Sequence, residues 1–132
     1  MVYEKDFETS GLKSESVIDF VEETVESNDI PPDTAIKISI CTDEIVANIL
    51  SHSNARYINV KVAIDNQTAT VKISFTDNGE PFNSITDVGD PDVTIPLEDR
   101  NEGGLGVYIV KKMMKGITYE REHDCNVFTI ST

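Results

Sequence analysis

Two stretches of alternating apolar residues, joined by a short polar turn, constrain the fold of this 132-residue chain more than any other feature. In "YINVKVAI" every second residue from Ile58 to Ile64 is apolar, and "ATVKISFTD" repeats the pattern from Val71 to Phe75. Alternation with a period of two predicts strands that bury one face. The intervening "DNQT" is typical of a turn, so the sequence predicts a β-hairpin.

Helical periodicity surrounds this hairpin. "SESVIDFVEETVES" predicts one amphipathic helix, and a second runs from the prolines of "NDIPPD" to about Ser51, with an apolar stripe of Ile38, Cys41, Ile45 and Ile49. A third helix is predicted from about Leu105 to Lys115, with one strand at the start of the chain and two at its end. The order β-α-α-β-β-loop-α-β-β predicts one α+β domain over residues 1–132. Three helices would cover one face of a mostly antiparallel, mixed sheet in a two-layer sandwich.

The charge of the chain narrows the choice of partners. Twenty-four acidic residues against eleven basic residues give a net charge of −13. This balance argues against direct binding of nucleic acid and against an anionic membrane surface, both of which attract basic proteins. A basic protein partner would suit it, and so would a purely solubilising surface.

The cysteines and the first residues indicate a cellular compartment. Cys41 and Cys125 form no disulfide framework or metal-binding spacing. "MVYEKDFETS" lacks the apolar stretch of a signal peptide, and no run reaches membrane-spanning length. We therefore expect a reduced, cytoplasmic protein without a membrane partner.

The second predicted helix carries a group of polar residues beside its apolar stripe. Glu44 and Asn48 are four residues apart and share one helix face, which Ser51 and His52 extend by another turn. A carboxylate and a carboxamide placed in this way can hold a water and a divalent ion, and Mg²⁺ favours such sparse oxygen ligation. The alternative is a pair of ordinary polar residues on a half-exposed helix.

Two further segments suggest a ligand site. Asp77 ends a predicted strand in "SFTDNGEPF", where it can accept a hydrogen bond from an exocyclic amine, and Gly79 would let a flat base approach the backbone. A simple β-turn has the same composition. The glycines of "EGGLGVYIV" precede a predicted helix, so their N–H groups can surround phosphate oxygens, although a plain loop-to-helix turn would also use them.

Taken in order, these segments resemble the motifs of the GHKL, or Bergerat-fold, ATPases. "DEIVANILSH" is similar to the N-box of that family, "TDNGEPF" to its first glycine box and "EGGLGVYIV" to its second. Within the family the chain looks most like the small stand-alone anti-sigma factor serine kinases, over about residues 10–130. "PFN", "GGLGVYIVKKMM" and the C-terminal "NVFTI" are familiar in type among those proteins.

The resemblance implies a role for each matching position. Glu44 would orient or deprotonate the attacking hydroxyl, Asn48 would hold Mg²⁺ on the phosphates of ATP, and Asp77 would bond the adenine amine. Residues 80–102 would form a lid over the nucleotide. The remaining positions implied to bind ATP are His52, Gly79, Phe82, Gly103, Gly104, Leu105 and Gly106. Arg100 joins them from its charge alone, as the only basic residue of the lid.

The function implied by the resemblance is ATP-dependent phosphorylation of a serine on a small anti-anti-sigma partner of the STAS type. Kinases of this group also bind a sigma factor, and homodimers are common among them. The predicted first helix lacks an arginine that some of them use for partner contact, which weakens the sigma-factor expectation. The alternative is a non-catalytic module that binds a partner under the control of ATP. Such a module would need neither Glu44 nor Asn48.

Overall fold

The computed structural model describes residues 1–83, 85 and 102–132, and for residues 102–107 it describes the backbone alone. Five strands and three helices form this part of the chain. In order they are β1 (Val2–Glu8), α1 (Ser14–Ser27), α2 (Pro32–His52), β2 (Tyr57–Asp65), β3 (Thr70–Asp77), α3 (Glu102–Met113), β4 (Gly116–Glu122) and β5 (Cys125–Ser131). The predicted order of elements is confirmed.

The five strands form one sheet in the order β1-β2-β3-β5-β4. All four pairings among these strands are antiparallel, so the predicted α+β sheet is confirmed and is antiparallel throughout its described strands. Residues 66–69 connect β2 to β3, one residue further along the chain than the predicted "DNQT" turn. Short turns join β2 to β3 and β4 to β5, which favours the antiparallel pairing of each of these two pairs.

The core lies between one face of the sheet and the helices. The alternating residues of β2 and β3 point into it from the sheet, and Phe128 and Ile130 continue the same face on β5. α1 and α2 supply the opposing layer: Val17, Val21 and Val25 are buried on α1 with Phe20 partly buried beside them, and the predicted stripe of Ile38, Cys41, Ile45 and Ile49 is buried on α2. The opposite face of the sheet carries mostly half-buried and exposed residues, which makes this part of the chain two layers thick.

The third helix differs from its prediction at its start. α3 begins at Glu102 rather than near Leu105, so the backbone of Gly103, Gly104 and Gly106 is helical. Glycine is a poor helix former, which is why the sequence favours a loop there. α3 packs against α2, and this tertiary contact offsets the propensity cost.

The two cysteines are free thiols in different environments. Cys41 lies on the inner face of α2 and is fully buried, whereas Cys125 at the start of β5 is half-buried. Burial, reinforced by the nearby charge of Glu44, raises the pKa of the Cys41 thiol to about 11. None of the described helices combines the length and the apolar character needed to span a membrane.

Candidate functional site

The site is organised around Asp77, which ends β3 on the face of the sheet that the helices cover. Its side chain is only 2% exposed. One carboxylate oxygen, Oδ1, accepts hydrogen bonds from the backbone N–H of Gly79 at 2.9 Å and from Nδ2 of Asn126 at 3.0 Å. No described residue donates a hydrogen bond to the other oxygen, Oδ2. The carboxylate is therefore fixed in orientation and keeps one acceptor for a ligand.

Asn126 holds this arrangement together, although it is not among the predicted site residues. It pairs directly with Asp77 across the β3–β5 ladder and is 3% exposed. Its Nδ2 also donates to the carbonyl of Glu80 at 2.7 Å, while its Oδ1 accepts from the Phe82 backbone N–H at 3.2 Å. The same Oδ1 accepts from the hydroxyl of Tyr119 on β4. Asn126 therefore ties Asp77 to the backbone that follows β3.

Replacing Asn126 with alanine is expected to weaken, without abolishing, the ATP binding that the resemblance implies. The variant leaves Oδ1 of Asp77 with one donor and frees the Glu80 carbonyl, so the carboxylate loses its fixed orientation. One buried hydrogen-bond network lost in this way corresponds to a roughly tenfold weaker Kd. Calorimetric titration with ATP measures the effect. The matched control is Asn59→Ala, which removes an asparagine that bonds only Glu4 and Asp6 on the opposite face of the sheet. Equal Kd values for both variants would contradict the role given to Asn126.

Gly79 lies two residues after the end of β3, beside the C-terminal end of α2. A Cβ on this residue would overlap the carbonyl oxygen of Ser53 and would lie 2.7 Å from its Cβ. The next residue, Glu80, donates its backbone N–H to the same carbonyl at 2.6 Å. Close packing against Ser53 thus explains why residue 79 is a glycine. The approach of a base to Gly79 stays a prediction.

We expect Gly79→Ala to destabilise the protein by about 1–3 kcal/mol, since the added methyl must push Ser53 away from the strand end. Thermal or urea unfolding measures this loss. Gly11→Ala serves as a comparison for a glycine in open space, although its φ of 69° adds strain of its own. An unchanged unfolding midpoint for Gly79→Ala would show that Ser53 does not pack against the glycine in solution.

Helix α2 presents Glu44, Asn48 and His52 along one face at successive turns, as the sequence predicts. Glu44 and Asn48 are half-buried and His52 is exposed, with its ring stacked on that of Phe82 at 4.6 Å between centroids. Burial raises the pKa of the Glu44 carboxyl above its ordinary value of 4.5, and the adjacent charge of Asp43 raises it further. A carboxylate with a raised pKa is a better proton acceptor than an exposed one.

Asn48 and Asp77 meet at one small cavity between α2 and the sheet. Its volume is about 20 Å³, and its other lining residues are Ile45, Ile49, Ser53, Phe82, Tyr119, Asn126 and Phe128. Space of this size holds about one water molecule. The polar groups suit a purine, because the free Oδ2 of Asp77 accepts an amine while apolar side chains contact a ring. A purine ring needs more room than this cavity provides.

The amide oxygen of Asn48 is also a suitable ligand for a magnesium ion, provided that the other ligands come from outside the protein. No hydrogen bond joins its amide to another residue of the described chain, so its oxygen is available. Three His, Cys, Asp or Glu side chains do not converge anywhere within residues 1–83, 85 and 108–132. A Mg²⁺ ion at Asn48 would therefore take its other ligands from nucleotide phosphates and water, which is its usual preference.

The remaining predicted positions are only partly described. Gly103 and Gly104 lie in the first turn of α3, where backbone N–H groups have no partner within the helix, and Gly106 lies just beyond that turn. The side chain of Leu105 and the whole of Arg100 lie outside the described residues. Most of the predicted lid, residues 84 and 86–101, lies outside them as well.

Comparison with known proteins agrees with this geometry. The model of the family described as "Histidine kinase-like ATPase domain" matches residues 12–132. The chain is also similar to a protein of Bordetella bronchiseptica named "Serine/threonine-protein kinase BtrW". The two are 24% identical over 97 residues, which cover 72% of this chain and 68% of that protein.

Proposed function

This chain belongs to the histidine kinase-like ATPase family, and on that basis we propose that it is an ATP-dependent serine protein kinase. The observation that supports this proposal best is the convergence of Asn48 and Asp77 on one cavity, with Glu44 one helical turn from Asn48. The relative named as a serine/threonine-protein kinase supports protein serine as the acceptor. The substrate proposed is a STAS-type anti-anti-sigma protein, and a sigma factor is proposed as a second partner.

Each residue has a separate task in this proposal. ATP would supply the γ-phosphoryl group with ADP as the leaving group, and Mg²⁺ would neutralise charge on the phosphates. Asp77 accepts a hydrogen bond from the adenine amine through Oδ2, and the two donors on Oδ1 keep it in place. Asn48 would bind the metal through its amide oxygen. Glu44 accepts the proton that the attacking serine hydroxyl loses, a role that its raised pKa favours.

The experiment is a transfer assay with the purified chain, ATP, Mg²⁺ and a STAS protein from the same organism. Phosphorylation of one serine, detected by intact mass and absent when that serine is replaced with alanine, would support the kinase. Calorimetry on the same preparation reports ATP binding independently. ATP binding without transfer would favour the non-catalytic binding module, and the absence of both would contradict the proposed function.

A further inference from the structure

A second surface of interest lies at the opposite end of α2 from His52. The second half of α1 and the first two turns and a half of α2 form the walls of a groove with a volume of about 640 Å³. The two helices are joined there by the short segment that contains Pro31. We call this surface the α1–α2 groove; Glu22, Glu26, Asp29, Ile36 and Ile40 define it.

The α2 side of the groove is apolar and exposed. Ile36 is 61% exposed and Ile40 is 38% exposed, although the neighbouring Ile38 and Cys41 are buried against the sheet. The other large apolar residues that are exposed in the described chain belong to the β1 and β2 strands or the residue before them. Two isoleucines four residues apart form a stripe about 6 Å long on the helix. Burying such side chains against a partner removes apolar surface from water, which favours docking.

The other side of the groove, formed by α1 and the residues that follow it, is acidic. Glu22, Glu26 and Asp29 line it, and no basic residue is among the lining residues. Glu22 accepts a hydrogen bond from the hydroxyl of Ser39 at 2.9 Å, which ties the two helices together. In the part of the chain that the structure describes, no lysine or arginine forms an ion pair with these three carboxylates. An apolar stripe therefore runs beside an uncompensated row of negative charge.

We propose that the α1–α2 groove docks an amphipathic helix of a partner protein, with aliphatic anchors on one stripe and lysine or arginine beside them. The spacing of Ile36 and Ile40 matches anchors at i and i+4 of such a helix. The carboxylates of α1 would meet its basic stripe, so the charges on the two sides are complementary.

The negative charge of the α1–α2 groove also disfavours two other occupants, a second copy of this chain and residues 86–101. A second copy of this chain placed symmetrically would bring an identical acidic row against Glu26 and Asp29. Residues 86–101 of this chain carry five acidic side chains and one arginine, so that segment is repelled as well. The proposal does not depend on nucleotide binding, because the α1–α2 groove and the Asp77 cavity share no residue.

The test uses a synthetic peptide as the probe. An 18-residue helix with leucines at i, i+4 and i+7 and lysines on both flanks is titrated into the ¹⁵N-labelled full chain. We expect amide shifts to concentrate at the groove and the affinity to fall with added salt. A control peptide with glutamate in place of every lysine should not bind.

Variants separate docking from general attraction to an acidic protein. Glu26→Lys is expected to weaken peptide binding about tenfold, while Glu23→Lys, the same charge change on α1 outside the groove, should alter it twofold or less. Ile36→Ser combined with Ile40→Ser should also weaken it about tenfold, with the melting temperature checked for each variant. Equal effects of the two lysine variants, or amide shifts centred elsewhere, would overturn the proposal. So would a concentration-dependent dimer in sedimentation that the double serine variant abolishes.

Discussion

Glu44→Gln is expected to reduce the proposed phosphoryl transfer to a partner serine by about 10²–10⁴-fold and to leave the affinity for ATP nearly unchanged; this is the largest effect that we expect. Glutamine keeps the shape of the side chain on α2 but cannot accept the hydroxyl proton. Single-turnover transfer with saturating ATP measures the chemical step, and calorimetry measures binding. A variant that transfers phosphate at the wild-type rate would remove Glu44 from the chemistry.

The neighbouring Asp43 provides the matched control. It is exposed and accepts a hydrogen bond from Ser14, and its charge contributes to the raised pKa of Glu44. Asp43→Asn should therefore lower that pKa and move the acidic limb of the pH–rate profile to lower pH, with little change at neutral pH. Loss of activity at all pH values in Asp43→Asn would show that Asp43 acts in some other way.

Glu44→Gln is expected to raise the free energy of unfolding, although it slows phosphoryl transfer. The pKa of Glu44 is higher in the folded protein than in the unfolded chain, so its ionised form opposes folding. Below the ordinary pKa of 4.5 the carboxyl is protonated in both states and carries no penalty; the penalty develops as pH rises through the folded pKa. Glu44→Gln should therefore be more stable than the wild type at neutral pH, and the gain should vanish toward pH 4.

Asp77→Asn is expected to weaken ATP binding by about 100-fold, since hydrogen bonds to charged acceptors contribute about 1.5–3 kcal/mol and an unpaired buried group adds its own cost. Two donors, the Gly79 N–H and the Asn126 amide, point at Oδ1, so the new side chain must place its oxygen there. Its NH₂ group then faces the adenine amine, donor against donor. Rotating the amide would only move the conflict to Gly79.

Calorimetric titration with ATP, with and without Mg²⁺, measures this loss. The control is Asp65→Asn, an exposed aspartate that also ends a strand, where it bonds the backbone N–H of Gln67. The affinity of Asp65→Asn for ATP should equal that of the wild type. Full ATP affinity in Asp77→Asn would place the adenine elsewhere, and a collapsed melting temperature would show that Asp77 serves folding first.

The strands and helices with periodic apolar residues can be predicted from the sequence, because the spacing of these residues shows which face of each element is buried. The alternation from Ile58 to Ile64 and the spacing from Ile38 to Ile49 gave the hairpin and α2 correctly. The start of α3 is different, since glycine propensity argues for a loop there, whereas the helix, which packs against α2, begins at Glu102. Tertiary packing of a helix can outweigh such a local preference.

The contacts that hold the site residues in place could not be predicted from the sequence, for a related reason. Asn126 reaches Asp77 only because β5 pairs with β3 in one particular register, and Gly79 meets Ser53 only because α2 ends beside β3. Neither distance is encoded in a local pattern. One signal was nevertheless present: Asn126 shares the inward-facing parity of Phe128 and Ile130, and a polar side chain at such a position usually serves a network.

The burial of Cys41 provides a built-in reporter of motion. Its thiol, with a pKa of about 11, faces the sheet from α2, so an alkylating reagent can reach it only after that helix separates from the sheet. The half-buried Cys125 gives an internal reference in the same molecule. Timed alkylation followed by mass spectrometry thus reads how often the helix that carries Glu44 and Asn48 lifts away, with no label added to the chain.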